Sequence, residues 1–222
     1  METLIIGHRG AKGYSPENTL VSFQKALAIG ALGIELDVHL SADGEIIVIH
    51  DEKVDRVTKG NGFVNQMSSA DLKALAIEIP LLFEVFDACP NCLINIELKV
   101  KETAKPVVDL IETYVLGKNR SYKQFLVSSF DWTALQQVRD LDAEIPLGVL
   151  TETDLDLAIN FAKFIKAETI HPHYHLLTSD NTKAMQDSGF KVFAWTVNEP
   201  EDIQTIKNFN VNGIITDFPE RI

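Results

Sequence analysis

The chain has few basic residues for its size. Its 222 residues include 20 Lys and Arg against 32 Asp and Glu, which gives a net charge of −12. Nucleic-acid-binding surfaces and polybasic membrane patches both require clustered Lys and Arg, so we predict neither kind of partner. A negative field also repels anionic substrates, so any phosphate group must be met by a cation placed locally.

Long hydrophobic runs and phosphate-binding glycine loops are also missing. No stretch approaches the ~20 apolar residues of a transmembrane helix. The apolar start at Leu4 leads directly into His8 instead of ending at a signal-cleavage site. We therefore expect a cytoplasmic protein without stable membrane insertion. Because no Walker or Rossmann loop is present, neither ATP nor NAD is indicated.

Cysteine is scarce, with only Cys89 and Cys92 in the pattern Cys-Pro-Asn-Cys. Such spacing is compatible with a redox pair, because a C-x-x-C motif can lower a thiol pKa. We favour the simpler interpretation of two reduced thiols in a loop before a strand. Without a second C-x-x-C, a Cys₄ zinc site within one chain is excluded.

Short apolar runs alternate with helical patterns along the whole chain. Such alternation over ~200–250 residues predicts a parallel sheet, most simply a (β/α)₈ TIM barrel. Ser15, just before Pro16, is the expected N-cap of the first helix. The strand-like runs are 4–6, 33–38, 46–49, 93–98, 125–128, 146–150, 168–171, 192–196 and 213–216. The helical patterns are 17–29, 104–116, 132–141, 154–164, 180–188 and 201–209.

Nine runs are one more than such a barrel needs, and a turn signal explains the surplus. Asp43-Gly44 is a strong hairpin signal, so we predict a β-hairpin extension over residues 40–49. The returning strand would bring His50 roughly opposite Glu35. Residues 52–82 break the rhythm and are interpreted as a small insertion over the active face, within one domain spanning residues 1–222.

Acidic and basic side chains collect where the predicted strands end. Glu35 and Asp37 share one face of their strand, and Glu97 and Lys99 share one face of a later strand. Since barrel active sites lie at the carboxyl ends of the strands, these groups should converge. Glu35, Asp37 and Glu97 are enough to hold a hard divalent cation, and without one they would repel each other.

The remaining candidates suit phosphoryl chemistry beside such a cation. Arg9 can bind a phosphate through two parallel hydrogen bonds, and Lys99 adds a compact positive charge. His8 and His50 suit a general acid and a general base, because imidazole titrates near neutral pH. Trp195, at the mouth end of its strand, offers an apolar wall for the rest of the substrate.

These residues lie in motifs that resemble the glycerophosphodiester phosphodiesterase family, and the resemblance runs almost end to end. The matching segments are Gly7-His8-Arg9-Gly10, Pro16-Glu17-Asn18-Thr19-Leu20, Ile34-Glu35-Leu36-Asp37-Val38, Asp43-Gly44, His50-Asp51, Ile96-Glu97-Leu98-Lys99, Trp195-Thr196-Val197-Asn198 and Gly213-Ile214-Ile215-Thr216-Asp217-Phe218-Pro219. Any one segment is weak evidence, whereas the full set in this order is highly specific. Ser41, where the family commonly has Thr, and the segment 80–84 depart from the pattern without touching a proposed catalytic position.

The resemblance implies a TIM barrel with a divalent cation (Ca²⁺, Mg²⁺ or Mn²⁺) on Glu35, Asp37 and Glu97. It also implies His8 and His50 as the acid–base pair, and hydrolysis of glycerophosphodiesters to an alcohol and sn-glycerol 3-phosphate. Neither the choice of cation, nor the preferred alcohol, nor which histidine is the acid follows from the sequence. The oligomeric state stays open as well.

Alternative interpretations remain for several residues and for the function of the protein. Glu17 is interpreted as a support for Arg9 instead of a metal ligand, and Asn18 either touches substrate or fixes the loop. A zinc site on His171, His173 and His175 is possible by spacing, although we favour His171 as a residue lining the pocket. Two functional alternatives remain, a lysophospholipase D acting on lipids and a binding protein that has lost catalysis. Because both histidines and all three acids are present, we favour the enzyme.

Overall fold

Eight parallel strands close into a barrel. The computed structural model describes residues 3–75 and 78–222. Its strands are β1 (Leu4–Gly7), β2 (Gly33–Leu40), β3 (Ile46–Val48), β4 (Leu93–Leu98), β5 (Phe125–Ser129), β6 (Leu147–Thr151), β7 (Thr169–Pro172), β8 (Lys191–Ala194) and β9 (Gly213–Thr216). The order is β1-β9-β8-β7-β6-β5-β4-β2, and parallel pairing of β1 with β2 closes the ring. The predicted TIM barrel is therefore confirmed.

The ninth strand is the return arm of the predicted hairpin. Strand β3 pairs antiparallel with β2, with Val38 opposite Val48. Gly44 has φ +84° in the turn, a backbone conformation that costs glycine little and other residues more. The Ile49 amide donates to the Asp37 carbonyl at 3.0 Å, so His50 follows one residue later. This register brings His50 level with Leu36 instead of Glu35, a shift of one residue from the prediction.

Helices connect the strands and cover the barrel. They are α1 (Leu20–Ala28), α2 (Ser69–Lys73), α3 (Leu82–Ala88), α4 (Ala104–Gly117), α5 (Trp132–Leu141), α6 (Leu155–Ile165), α7 (Ser179–Asp187) and α8 (Pro200–Asn208). The sequence analysis missed α3. It was also wrong about the first N-cap, because Thr19, not Ser15, accepts a hydrogen bond from the Ser22 amide, at 3.2 Å. Among the described residues, no helix has the length and apolar character needed to span a bilayer.

The alternation of side chains along the strands builds two apolar layers. Outward-facing strand residues pack against the helices, where Phe23, Phe86 and Phe125 are almost completely buried. Burial of each such side chain contributes ~1.5–3 kcal/mol. A smaller cluster of Ile6, Leu126, Phe193 and Ile215 fills the barrel interior. The inward-facing residues nearer the carboxyl ends of the strands are polar, and they form the site described next.

The segment after His50 forms its own small apolar cluster on the hairpin. Its members are Ile47, Ile49, Val54, Val64, Leu72, Ile79 and Leu81. One face of strand β3 therefore packs on the barrel, and its other face packs on the segment that follows His50. Of the predicted insertion 52–82, Ala76 and Ile77 lie outside the described residues.

Candidate active site

Three carboxylates converge at the mouth of the barrel. Glu35 and Asp37 come from β2, Glu97 comes from β4, and the register places Asp37 directly beside Glu97. One oxygen from each carboxylate lies within 4.8 Å of the other two. Glu35 is 3 % exposed and Asp37 1 % exposed. Among the residues that the structure describes, this is the one group of three or more Asp, Glu, His or Cys donors close enough to hold a metal ion.

The protonation of this cluster reflects its crowding. Burial raises the pKa of Glu35 well above its ordinary value, and the neighbouring charges of Asp37 and Glu97 raise it further. Burial and the Asp37 charge likewise raise the pKa of Glu97 to about 7. Burial would also raise the pKa of Asp37, but the charges of Arg9 and Lys99 outweigh it and lower that pKa. Burial and mutual repulsion therefore disfavour three simultaneous negative charges in this cluster unless a further cation is bound.

Two basic side chains border the cluster. The Arg9 backbone amide donates to Glu35 Oε2 at 2.8 Å, and Arg9 Nε lies 3.4 Å from Asp37 Oδ2. Lys99 Nζ lies 2.6 Å from Glu97 Oε1 and 3.6 Å from Asp37 Oδ1. The structure therefore brings together Arg9, Lys99 and the three acids, as the sequence analysis expected.

The loop after β1 contains Arg9 and Asn18 and has a tightly folded backbone. Arg9 and Asn18 both have left-handed backbones, with φ of 51° and 56°, which non-glycine residues adopt mainly where the surrounding structure enforces it. Asn18 Nδ2 donates to Asp37 Oδ2 at 2.9 Å, so Asn18 fixes a carboxylate of the cluster. A Cβ at Gly10 would collide with Ser22 of α1. This close approach explains why a glycine follows Arg9.

Glu17 lies behind Arg9 and contacts a second arginine. Its Oε1 accepts from Arg9 Nη1 at 2.9 Å and from Arg56 Nη2 at 2.7 Å. Burial would raise the pKa of Glu17, but the bonds and charges of Arg56 and Arg9 outweigh it and lower that pKa to about 2. Glu17 is therefore an ionised partner of two arginines, as predicted for a residue that supports Arg9.

Glu17→Gln should destabilise the protein at neutral pH and much less in acid. Glu17 has a pKa of 4.5 in the unfolded chain and about 2 in the folded one, so its stabilisation is complete above about 4.5 and is lost as the pH falls through about 2. After solvent screening we expect a loss of ~1–2 kcal/mol at pH 7. Urea unfolding of wild type and variant between pH 7 and pH 3 measures it. A difference that stays constant over this range would contradict the assignment, and Glu45→Gln, on the exposed hairpin, is the control.

His8 forms a hydrogen-bonded pair with a carboxylate from the last strand end. Its Nδ1 lies 2.7 Å from Asp217 Oδ1, and Asp217 Oδ2 accepts from Asn198 Nδ2 at 2.8 Å. Burial lowers the pKa of His8, although Asp217 opposes this effect. The sequence analysis included Asp217 in a family motif but gave it no role, because its partner is 209 residues away.

His50 has an equivalent partner next to it in the chain. Its Nδ1 lies 2.6 Å from Asp51 Oδ1. Burial lowers the pKa of His50. The His50 carbonyl lies 3.1 Å from Nε2 of the buried His39, which therefore anchors the His50 backbone. Each candidate histidine thus has one ring nitrogen held by an aspartate.

A cavity of about 70 Å³ lies between the two candidate histidines, the basic residues and two of the three acids. Its walls are His8, Arg9, Glu35, His50, Asn95, Glu97, Lys99, Phe130, Leu150, Trp195, Thr196 and Ile215. Phe130 and Trp195 meet edge to face, with ring centroids 5.3 Å apart at 81°, and Trp195 Nε1 donates to the His171 carbonyl at 2.8 Å. Trp195 therefore lies in the cavity wall, at the mouth end of its strand, and Phe130 is a second aromatic residue of that wall.

Asn95 is a further residue of this cavity that the sequence analysis missed. It pairs with Glu35 in the β2–β4 register, so both side chains point into the barrel. Asn95 is 1 % exposed, and its Oδ1 has no hydrogen-bond partner among the described residues. An unpartnered buried acceptor beside three carboxylates favours a positively charged or hydrogen-donating occupant.

The histidines of the β7 region do not form the alternative zinc site. His171 is fully buried inside the barrel, where its Nε2 contacts Thr169 Oγ1 at 2.8 Å and its ring stacks on Phe193. Burial lowers the pKa of His171 to about 3. His173 and His175 follow the strand. The His173 ring stacks on Tyr174, and the His175 ring lies tilted beside both. The expectation that His171 lines the cavity is also wrong, because it is not among the lining residues.

The two cysteines lie outside this site. Both thiols are free and buried, and Cys92 Sγ donates to the Cys89 carbonyl at 3.7 Å. Cys89 ends α3, and Cys92 precedes β4 at the opposite end of the strand from Glu97. This placement agrees with two reduced thiols in a loop before a strand.

The chain matches known proteins over nearly its whole length. Residues 8–221 match the model of the glycerophosphoryl diester phosphodiesterase family. A glycerophosphodiester phosphodiesterase of Caldanaerobacter subterraneus is 34 % identical over 100 % of this chain and 97 % of its own. A phosphodiesterase of Oleispira antarctica, solved with the product sn-glycerol-3-phosphate, is 26 % identical with a TM-score of 0.89 and covers 99 % of this chain and 94 % of its own. The Thermotoga maritima glycerophosphodiester phosphodiesterase structure is 30 % identical, with a TM-score of 0.85 over 99 % and 96 %.

Barrel, site and matches together define the class of protein: it is a phosphoric diester hydrolase built on a TIM barrel. More narrowly, the chain belongs to the glycerophosphoryl diester phosphodiesterase family. The family assigned from the sequence motifs is thus confirmed.

Proposed function

We propose that the chain hydrolyses glycerophosphodiesters to an alcohol and sn-glycerol 3-phosphate, with a divalent cation on Glu35, Asp37 and Glu97 and with His8 and His50 as the acid–base pair. The observation that carries the proposal is the common cavity, which is lined by both histidines and by Glu35 and Glu97. The product bound in the Oleispira antarctica structure supports this choice of substrate class.

The acid cluster fits a divalent cation. Its three carboxylates lie within ligand distance of one another, and burial together with mutual repulsion keeps Glu35 and Glu97 from ionising freely. Oxygen-only donors suit Ca²⁺, Mg²⁺ and Mn²⁺. A cation bound there would neutralise charge on a phosphodiester oxygen. Asn18 would hold Asp37 in place for that role through its 2.9 Å hydrogen bond.

The two histidine–aspartate pairs are suited to proton transfer. An ionised carboxylate only accepts hydrogen bonds, so Asp217 and Asp51 hold the proton on Nδ1 of His8 and His50. Nε2 of one histidine, in the neutral form, can then take a proton from the attacking hydroxyl. The other histidine must be protonated on both nitrogens, so that its Nε2 can give a proton to the departing alkoxide. Burial lowers the pKa of both imidazoles and so favours the neutral form that the base needs, whereas the hydrogen bonds to Asp217 and Asp51 favour the doubly protonated form that the acid needs.

Arg9 and Lys99 complete the proposed binding site for the phosphate group. Aromatic rings form the proposed binding site for the carbon chains of the substrate. Arg9 and Lys99 lie on the polar side of the cavity with the acid cluster, whereas Trp195 and Phe130 form a corner on the apolar side. A glycerophosphodiester has the same division, with a charged phosphate and less polar carbon chains. The cavity therefore matches the substrate in polarity.

Trp195→Ala should mainly weaken substrate binding. Loss of an apolar wall removes contacts made equally by the ground state and the transition state, so KM should rise by about 10-fold while kcat changes by less than about threefold. Steady-state kinetics with glycerophosphocholine measures both constants. Phe164→Ala, which removes an aromatic ring 72 % exposed on α6, is the control. An unchanged KM would remove Trp195 from the substrate site.

The test of the function is release of glycerol 3-phosphate from glycerophosphocholine, first with EDTA and then with Ca²⁺, Mg²⁺ or Mn²⁺ restored. Activity that is lost on chelation and restored by one cation supports both the reaction and the cofactor. Lysophosphatidylcholine, tested in parallel, examines the lysophospholipase D alternative. Turnover of the lysolipid alone would replace the proposal with that alternative, and turnover of neither substrate with any cation would leave the non-catalytic binding protein.

We also propose that residues 1–222 act as one catalytic domain, with the insertion 52–82 covering part of its active face. The family match over residues 8–221 supports one unit. The ion pair between Arg56 and Glu17 supports the position of the insertion, because it joins this segment to the loop that carries Arg9.

A further inference from the structure

Arg56 bridges two carboxylates that each support a different residue of the proposed catalytic centre. Its Nε donates to Asp51 Oδ2 at 2.6 Å, and its Nη2 lies 3.2 Å from Asp51 Oδ1. On the other side, Nη1 and Nη2 donate to the two oxygens of Glu17 at 2.9 and 2.7 Å. A guanidinium group can make both paired contacts at once because its five N–H donors lie in one plane.

The turn that carries Arg56 is itself firmly held. Val54, two residues earlier, is fully buried in the apolar cluster on the hairpin. The Thr58 amide and hydroxyl both donate to the Val54 carbonyl, at 3.0 and 2.9 Å, and the Val54 amide donates to the Gly62 carbonyl at 3.1 Å. Although its side chain is 47 % exposed, Arg56 therefore projects from a fixed backbone.

Each arm of the bridge ends at a residue with a proposed chemical role. Along one arm, Asp51 accepts from His50 Nδ1 at 2.6 Å. Along the other, Glu17 accepts from Arg9 Nη1 at 2.9 Å. Asp51 is 30 % exposed at its side chain, so without Arg56 the carboxylate could rotate into solvent. Arg9 Nε faces Asp37 Oδ2 at 3.4 Å but makes no hydrogen bond among the described residues, so Glu17 supplies the side-chain hydrogen bond that orients the guanidinium group.

We propose that Arg56 is a positioning residue of the catalytic centre, which fixes the imidazole of His50 through Asp51 and the guanidinium of Arg9 through Glu17. The proposal rests on the proposed function for its kinetic consequences, but not for its structural ones. Because the insertion supplies Arg56, docking of this segment becomes a condition for an ordered His50 and Arg9. Positioning partners of this kind typically contribute 10–100-fold to activity.

The closing experiment compares Arg56→Gln and Arg56→Lys by kinetics and by ¹⁵N NMR of the His50 ring. We expect Arg56→Gln to lower kcat/KM by about 10–100-fold. At pH 7.5 the wild-type His50 ring should carry its proton on Nδ1, whereas in Arg56→Gln the two tautomers should mix. Arg56→Lys keeps the charge but cannot make the two paired contacts. Its kcat/KM and its His50 tautomer ratio should therefore lie between those of wild type and Arg56→Gln.

Two further variants separate the arms. Asp51→Asn should reproduce the fall in kcat and the change at His50, whereas Glu17→Gln should reproduce a rise in KM with the His50 signals unchanged. The double variant Arg56→Gln with Glu17→Gln should lose less than the product of the single effects, because both remove the same contact. Additive losses would separate Arg56 from the Arg9 arm and overturn that half of the proposal.

Arg139→Gln is the control for a purely structural effect. Arg139 bonds to the Ile165 and Lys166 carbonyls, at 2.8 and 3.2 Å, at the opposite end of the barrel. This variant should lower the melting temperature while kcat, KM and the His50 signals stay at wild-type values. If Arg56→Gln behaved in the same way, the proposal would be overturned. Since the NMR signals need no turnover, an inactive wild-type protein would count against the proposed function without affecting this test.

Discussion

His8→Ala and His50→Ala should each lower kcat by about 10²–10⁴-fold while leaving the fold intact. Each imidazole has one nitrogen bonded to an aspartate and lines the cavity that Glu35 and Glu97 also line. Truncation removes a proton donor or acceptor without opening the hydrophobic core. Steady-state kinetics measures kcat, and circular dichroism with thermal unfolding checks the fold.

The control for these variants is His175→Ala, which removes an exposed imidazole that does not line the cavity. It should leave kcat within about twofold of wild type. If either His8→Ala or His50→Ala retained wild-type turnover, that histidine would be excluded as an acid or base. A loss in both that was rescued by added imidazole would further support direct proton transfer.

Glu35→Gln should change stability in opposite directions with and without a divalent cation. Burial and repulsion raise the pKa of Glu35, so ionisation of this group destabilises the metal-free protein once the pH exceeds its unfolded-state pKa, about 4.5. Replacing it with a neutral amide should therefore stabilise the metal-free protein at pH 7.5 and raise its melting temperature. With cation at 100 times its Kd, wild type should gain ~2.7 kcal/mol, and the variant much less.

Thermal unfolding in EDTA and across a cation titration measures both effects. Glu45→Gln removes one negative charge from the exposed hairpin and is the matched control, since it should change neither the metal-free stability nor the response to cation. An equal response of Glu35→Gln and wild type to every cation would remove Glu35 from the metal site. Isothermal titration calorimetry gives the same comparison independently of heating.

The architecture could be predicted because it depends on local patterns. Alternating apolar runs specify the strands, and Asp43-Gly44 specifies the hairpin, whose glycine has the positive φ that the turn requires. Helix α3 was missed because it is only seven residues long and its side-chain cap is absent at Leu81. The one-residue shift of His50 shows the limit of register prediction, since the turn length sets the pairing.

Site residues that share a strand face could be predicted from the sequence. Residues that act through hydrogen bonds to distant parts of the chain could not. Glu35, Asp37 and Glu97 could be grouped because alternation and barrel geometry place them together. Asp217 and Arg56 could not, because their contacts join segments 209 and 39 residues apart without a local pattern. Strand alternation did place Asn95 on the same face as Glu97, a signal that was available but not used.

The His8–Asp217 pair links the first strand of the barrel to the end of the last one. Strands β1 and β9 pair along Leu4–Gly7 and Gly213–Thr216, and the histidine–aspartate contact lies at the top of this seam. During synthesis on the ribosome, His8 therefore has no partner until Asp217, 209 residues later in the chain, has been made. With His8 in its proposed role, phosphodiester cleavage should require ring closure, and fragments that divide the chain elsewhere should recover turnover only when they reassemble with this seam intact.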